Sequence, residues 1–256
     1  LKDADDSRVE SGPRLSKKRV KAYQNTEFIN SKDARALRIL AEYLEPRARF
    51  EAQGLDDTIV FYGSARTQPD SKYYEAARQL AFRLTQWSKA LTATERRFVV
   101  TTGGGPGIME AANRGASEAR GLTAGIGISI PIEQTDNDYI TRGLSFHFHY
   151  FFMRKFWFAY LAKAMVAFPG GFGTLDELFE TLTLVQTKKM RKPMPIVLFG
   201  NDYWNEVINF DALVRHGTIS PEDVNLVHRT DSVDEAFDWL VQQLTEHALG
   251  RPGAML

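Results

Sequence analysis

The chain contains no cysteine. That absence excludes a disulfide scaffold, a cysteine nucleophile, a thiolate zinc site and an iron–sulfur cluster. It also lacks an excess of either charge: 32 Lys and Arg stand against 32 Asp and Glu, so composition gives no sign of a nucleic-acid partner. No apolar run is long enough to span a bilayer and no secretory signal opens the sequence, so no membrane association is expected and a cytoplasmic location is. What is present is ordinary for a soluble globular protein: 256 residues, 43% hydrophobic and 25% charged. That length suits one large domain, or one domain with an appendage, burying a full core.

The first thirty residues are highly charged, with a short basic run at Lys17, Lys18, Arg19 and Lys21. Four such charges fit a solvated arm better than a nucleic-acid-binding one. From Ser31 a helix is expected, its stripe formed by Leu37, Leu40, Ala41 and Leu44, packed on the outside of the main domain. Residues 1–50 are thus read as arm and helix, 51–248 as the main domain and 249–256 as a tail.

After Gly54 short, continuous apolar runs appear at Thr58–Tyr62, Phe98–Thr101, Ala124–Ile130, Met165–Phe168 and Pro195–Phe199. Strands buried on both faces read this way. Amphipathic stretches separate them: Tyr73–Ser88, Ile108–Arg120, Tyr150–Ala162, Leu175–Thr187, Tyr203–Arg215 and Val233–Ala248. The alternation predicts an α/β fold, a doubly wound, Rossmann-like parallel sheet with helices on both faces. Such sheets bind ligands at the carboxyl ends of their strands.

Two glycine-rich turns occupy that position. One runs from Thr101 through Gly103, Gly104, Gly105 and Gly107 to Glu110, the other from Phe168 through Gly170, Gly171, Gly173 and Thr174 to Glu177. A smaller turn, Tyr62-Gly63-Ser64-Ala65-Arg66, follows the first strand. Glycines let backbone N–H groups approach a ligand, and a helix N-terminus behind them completes an anion cradle. Helix–sheet packing alone explains one such cluster better than two. There is no Gly-Lys-Ser/Thr, so this is not a Walker A loop. Ile108 stands where a dinucleotide fingerprint has its third glycine, which argues against NAD or FAD.

Two further residues each have two readings. Thr174-Leu175-Asp176-Glu177 fits a capping box, which makes Glu177 a helix cap or a catalyst. Leu175, Leu178, Phe179, Leu182 and Val185 are the expected buried stripe, leaving Glu177 and Thr181 on a polar flank. Arg154 and Lys155 lie in Tyr150–Phe158, a segment apolar nearly all round. Cations there need a partner or a path to water. Arg154 either pairs with a structural carboxylate or faces a phosphate and a carboxylate in an active site. His147 and His149 share a strand face but lack a convincing third ligand, so no metal is proposed.

The YGSAR turn, the GGGPGIMEAANRGA segment, the MRK of the aromatic helix and the PGGFGTLDE segment together resemble the LOG (Lonely Guy) family. Its members are cytokinin riboside 5′-monophosphate phosphoribohydrolases, long mislabelled as lysine decarboxylases. The resemblance covers roughly residues 55–230. It implies a Rossmann-like fold and a homo-oligomer, a dimer or higher, with a hexamer among the larger forms. It also implies hydrolysis of the N-glycosidic bond of a nucleoside 5′-monophosphate to free base and ribose 5-phosphate, without a cofactor.

By that resemblance the essential arginine falls on Arg154 and the essential glutamate on Glu177. Phosphate contacts fall on Gly104, Gly105, Gly107, Gly170, Gly171, Gly173 and Thr174. Gly63 and Ser64 line the nucleotide site, and Lys155 is taken as a further substrate contact. Asp176 departs from the glutamate that many relatives carry, keeping the charge. In the implied mechanism Glu177 stabilises an oxocarbenium-like ribose and directs water or a ribose hydroxyl. Arg154 hydrogen-bonds substrate and orients Glu177, because arginine does not act as a proton donor near neutral pH. The alternatives are an AMP nucleosidase with a different base pocket, or a non-catalytic carrier of a nucleotide or of molybdenum cofactor on the same fold. A decarboxylase would need a pyridoxal-phosphate lysine, and nothing around Lys155 or Lys163 reads as one.

Overall fold

The structure is a computed structural model and describes residues 20–91, 96–130 and 136–253. The basic run at Lys17, Lys18 and Arg19 lies outside them, as does the end of the tail. The chain divides into two compact units, Leu1–Ala41 and Glu42–Leu256.

In the first unit, α1 (Thr26–Asn30) is capped by Asn25, whose side chain accepts from Phe28 N. Arg38 Nη1 donates to the carbonyls of Ile29 and Ser31, each at 2.6 Å. Arg38 belongs to α2 (Arg35–Ala52), whose later turns lie in the second unit. The expected apolar stripe is not buried: Leu37, Leu40 and Leu44 are each about half exposed. Burial in α2 falls instead on Pro46 and Phe50, the latter ring packed on Phe146 and Trp157.

The second unit alternates strand and helix: β1 (Thr58–Tyr62), α3 (Lys72–Ala90), β2 (Val99–Thr102), α4 (Ile108–Glu118), β3 (Thr123–Ile128), β4 (Ser145–Phe148), α5 (Phe151–Leu161), β5 (Ala162–Ala167), α6 (Phe172–Gln186), β6 (Ile196–Phe199), α7 (Asn201–Val207), α8 (Phe210–Arg215), β7 (Val227–Thr230) and α9 (Val233–His247). The seven strands form one sheet in the order β4-β3-β2-β1-β5-β6-β7, and every pairing is parallel. This is the expected α/β Rossmann-like architecture. The amphipathic stretch Tyr203–Arg215 forms two helices rather than one, because Ile208 is extended and Asn209 caps a new start by accepting from Ala212 N. The sequence runs named above gave no sign of β7.

Every residue of β1, β2, β5 and β6 is buried, which is why these strands read as continuous apolar runs. The edge strand β4 alternates instead, with Phe146 and Phe148 inward and His147 exposed. On one face of the sheet, Leu80 and Leu84 of α3, Ala111 and Ala112 of α4 and Leu240 and Leu244 of α9 close over Ile59, Phe61, Val100 and Val166. Small alanines on α4 and Ala77 and Ala81 on α3 let these helices sit close to each other and to the strands.

At the amino end of the strands a charged cluster is buried. Asp57, fully enclosed, accepts from Arg97 Nε and lies 3.4 Å from Lys163 Nζ. Arg97 also donates to the carbonyls of Ala248 (2.8 Å) and Leu249 (3.0 Å), and Lys163 to that of Arg251 (2.9 Å). Cations at the end of a helix are favoured by its dipole and satisfy its last carbonyls. Leu249 and Arg251, read from sequence as tail, are held in this way. Among the described residues no helix is long and apolar enough to cross a membrane.

Candidate active site

The chain leaves β1 toward β2, β3 and β4 on one side and returns to β5 on the other. The carboxyl ends of β1 and β5 therefore flank the point where strand order reverses, the expected ligand position in such sheets. A cavity of about 740 Å³ opens there. Its lining brings together Gly63, Ser64, Gly104, Gly105, Gly170, Gly171, Gly173, Thr174, Arg154 and Glu177, from turns far apart in sequence.

The glycines divide by what their missing side chains would meet. Gly107 has φ +68°, and a Cβ there would fall 2.3 Å from Ser64 O. It caps α4 and packs against the first-strand turn, and it is absent from the cavity lining. At Gly170 a Cβ would sit 2.1 Å from Thr174 Oγ1. Gly171 and Gly173 differ: nothing lies within 4 Å of either Cβ position, and neither φ is positive. Packing does not require glycine at those two places. Both face the cavity at the N-terminus of α6, capped by Gly171 without a side-chain bond. The first N–H groups of a helix have no intrahelical partner, so this end of α6 presents free donors to the cavity with open approach, an arrangement that suits an anion.

Helix α6 starts at Phe172, three residues before the start the capping-box reading required. Thr174 is consequently inside the first turn, and the capping-box reading of Thr174 and Glu177 fails. The buried face of α6 is Thr174, Glu177, Leu178 and Thr181, whereas Phe179 is exposed. Glu177 and Thr181 are thus on the inward face, not on a polar flank.

Glu177 is 4% exposed, and its Oε1 accepts from Arg154 Nη2 at 2.8 Å. Burial pushes the Glu177 carboxyl above the ordinary carboxylate value, against the pull of Arg154. The Arg154 side chain is 15% exposed, its guanidinium 5.4 Å from the ring centre of Phe151 and 5.5 Å from that of Phe158. Its Nε is buried without a partner. An arginine at a cavity wall has more donors than one carboxylate oxygen engages, and can bind substrate through its terminal nitrogens while fixing the carboxylate.

Lys155 points elsewhere. Its Nζ lies 2.8 Å from Asp176 Oδ2 and 2.6 Å from Glu180 Oε2, and it does not line the cavity. Burial pulls its ammonium down, but the hydrogen bonds to Asp176 and Glu180 override that and hold it above its usual value. Lys155 ties α5 to α6 and so holds Arg154 opposite Glu177; Asp176 serves the same tie.

Sequence reading gave no role to several lining residues. Phe158 reaches the cavity from the aromatic helix, and Met109 from the first turn of α4. Tyr203 comes from α7 and donates through its hydroxyl to Gly170 O; its signal was its place in the turn after a strand. His147, which by sequence reads as a metal ligand or as packing, lines the cavity too, as does Asp136 of the loop 133–143, which by sequence reads as base-pocket lining or a surface turn. Asn137 fastens this loop to the first glycine turn, its Nδ2 donating to Gly104 O (3.0 Å), Gly105 O (3.1 Å) and Asn113 Oδ1 (2.9 Å). Among the described residues no group of three or more His, Asp or Glu is placed to hold a metal.

The fold and cavity define a doubly wound parallel α/β protein with a glycine-lined cavity where its strand order reverses. The chain belongs to the LOG family: residues 109–240 match the family model described as "Possible lysine decarboxylase". It is 31% identical over 209 residues to the cytokinin riboside 5′-monophosphate phosphoribohydrolase LOG7 of Arabidopsis thaliana, covering 79% of this chain and 85% of that one. A second Arabidopsis thaliana enzyme of that name, LOG5, is 30% identical over 188 residues, covering 72% and 75%. Among solved structures, the molybdenum cofactor carrier protein of Chlamydomonas reinhardtii shares the fold, with a TM-score of 0.50 and 23% identity over 74% of this chain and 98% of that one.

Proposed function

We propose that the protein hydrolyses the N-glycosidic bond of a nucleoside 5′-monophosphate, an N6-modified adenine nucleotide or AMP, releasing the base and ribose 5-phosphate. The observation that carries this reading is the buried Arg154–Glu177 pair in the wall of the glycine-lined cavity. The N-terminus of α6, with Gly171, Gly173 and Thr174, takes the phosphate. Glu177 follows Gly173 by four residues on the same helix, about 6 Å of axial rise, so a phosphate anchored at that end brings the ribose level with the carboxylate. The curated relatives bear the name of this activity.

Breaking the bond builds positive charge on the ribose. An ionised Glu177 stabilises that charge and orients the attacking water. Arg154 fixes the carboxylate and offers terminal guanidinium donors to the substrate, a contribution through position and field. The phosphate contacts supply binding energy remote from the reacting carbon.

A decarboxylase of the kind the family description suggests would need a lysine in the cavity to hold pyridoxal phosphate. No lysine is among the lining residues. Lys155 is engaged by Asp176 and Glu180, and Lys163 lies buried against Asp57. These residues do not fit that group.

We further propose a homo-oligomer, supported by exposed phenylalanines on neighbouring helices: Phe151 and Phe152 on α5, Phe172 and Phe179 on α6. Light scattering of the purified chain tests this, and a monomer throughout the micromolar range would end it. The activity is tested by release of adenine from AMP and of N6-isopentenyladenine from its nucleotide, for native protein and Glu177→Ala. Release that the substitution abolishes is expected, and the ratio of the two rates assigns the base. Binding of AMP without release would turn the reading toward a carrier.

A further inference from the structure

Tyr62 ends β1 at the reversal of strand order, and neither the ion pair nor the glycine turns account for it. Its backbone is fixed by register with Ala167 and by Phe168 N donating to its carbonyl at 2.8 Å. Its ring is fixed as well, edge-on to Phe158 with centroids 5.1 Å apart. It is 8% exposed, and it lines the cavity with Arg154, Phe158 and Glu177.

The hydroxyl makes no hydrogen bond to a described side chain, and the residue that carries it stands in the wall of the cavity beside Glu177. Burial, and after it the neighbouring Glu177 carboxylate, hold the phenol well above its ordinary value, so it keeps its proton. A polar group set in a cavity wall without a protein partner has a hydrogen bond to give to a ligand.

We propose that Tyr62 is a substrate contact that reads the sugar: its hydroxyl hydrogen-bonds a ribose hydroxyl of the nucleotide beside Glu177. The inference rests on the nucleotide reading above and deepens it. With the phosphate on the first turn of α6 and Glu177 at the sugar, the side chain sharing the wall with Glu177 meets the sugar too. A neutral phenol both donates and accepts, which matches a ribose diol. It brings no second negative charge to compete with the carboxylate.

The test compares kcat/KM of native protein and Tyr62→Phe on AMP, 2′-deoxy-AMP and 3′-deoxy-AMP. Phenylalanine keeps the ring against Phe158, so only the hydroxyl is lost. We expect about a tenfold loss on AMP, and no loss on the analogue lacking the hydroxyl that Tyr62 reads. Equal losses on all three nucleotides, or none on any, overturn the proposal. Native protein that releases no base refutes the hydrolase reading separately; the same comparison is then made on affinities from calorimetry. Absence of AMP binding overturns both. Should Tyr62→Phe fail to fold, native protein indifferent to both missing hydroxyls overturns the proposal.

Discussion

Two buried charge clusters sit at opposite ends of the same pair of strands. At the amino ends of β1 and β5, Asp57 holds Arg97 and Lys163, whose other donors go to the carbonyls of Ala248, Leu249 and Arg251. At the carboxyl ends, Arg154 holds Glu177, and both residues border a cavity. The residue types are alike and both carboxyls are pushed upward by burial. The difference is where the spare hydrogen-bonding capacity goes. The cations of the lower cluster spend their other donors on the chain's own backbone, although Asp57 Oδ1 makes no hydrogen bond, whereas the upper pair stands in the wall of a cavity and is the candidate site.

Exchanging the roles experimentally gives the largest expected effect. Glu177→Gln is expected to lower base release about 10²–10⁴-fold, with no loss of thermal stability on calorimetric melting. Asp57→Ala should do the reverse. It leaves two buried cations without their carboxylate, costing about 3–5 kcal/mol in urea unfolding, while KM for AMP in the protein that remains folded stays near native. A substitution at Asp57 that abolishes activity without touching stability would break the comparison.

The glycines sharpen the contrast at a smaller scale. Gly173→Ala is sterically free, so stability should hold or rise by about 0.4–1 kcal/mol, while KM for the nucleotide rises several-fold. Gly170→Ala drives a methyl group into Thr174 and should destabilise by about 1–3 kcal/mol, read by the same melting curves.

A third expectation concerns pH. Activity that requires ionised Glu177 should fall on the acid side with a midpoint above the ordinary glutamate value, and Arg154→Ala, which removes the opposing pull, should move that midpoint higher. The smallest effect follows from linkage. Because the folded-state value is raised, the folded chain binds more protons than the unfolded chain in the window between the two values. Stability held below the unfolded value is therefore lost as pH rises through the folded one. Unfolding curves of native protein and Glu177→Gln should diverge across that window in favour of glutamine and run parallel above it.

The sheet was legible because β1, β2, β5 and β6 are buried on both faces and so leave continuous apolar runs. The edge strand β7 was not, since its half-buried residues Val227, His228 and Arg229 carry no such run. Arg154 and Glu177 were singled out by residue type and family resemblance, but their meeting at 2.8 Å depends on α5 and α6 folding against one another. The cap reading of Glu177 failed because Gly171, with no side chain to signal it, starts the helix. Lys155 was drawn toward the ligand by its adjacency to Arg154. On a helix adjacent residues point about 100° apart, and Lys155 turned instead to the carboxylates of α6.

The place of β1 at the reversal of strand order also bears on how the chain is made. One edge of β1 finds β2 soon after synthesis, but its other partner begins at Ala162, about a hundred residues later. At about 5–20 residues per second the ribosome leaves that apolar edge uncovered for roughly 5–20 s. The two sides of the future cavity exist as separate pieces during that interval. The half built on β1 to β4 then presents an open strand edge of the kind that pairs with a neighbouring nascent chain.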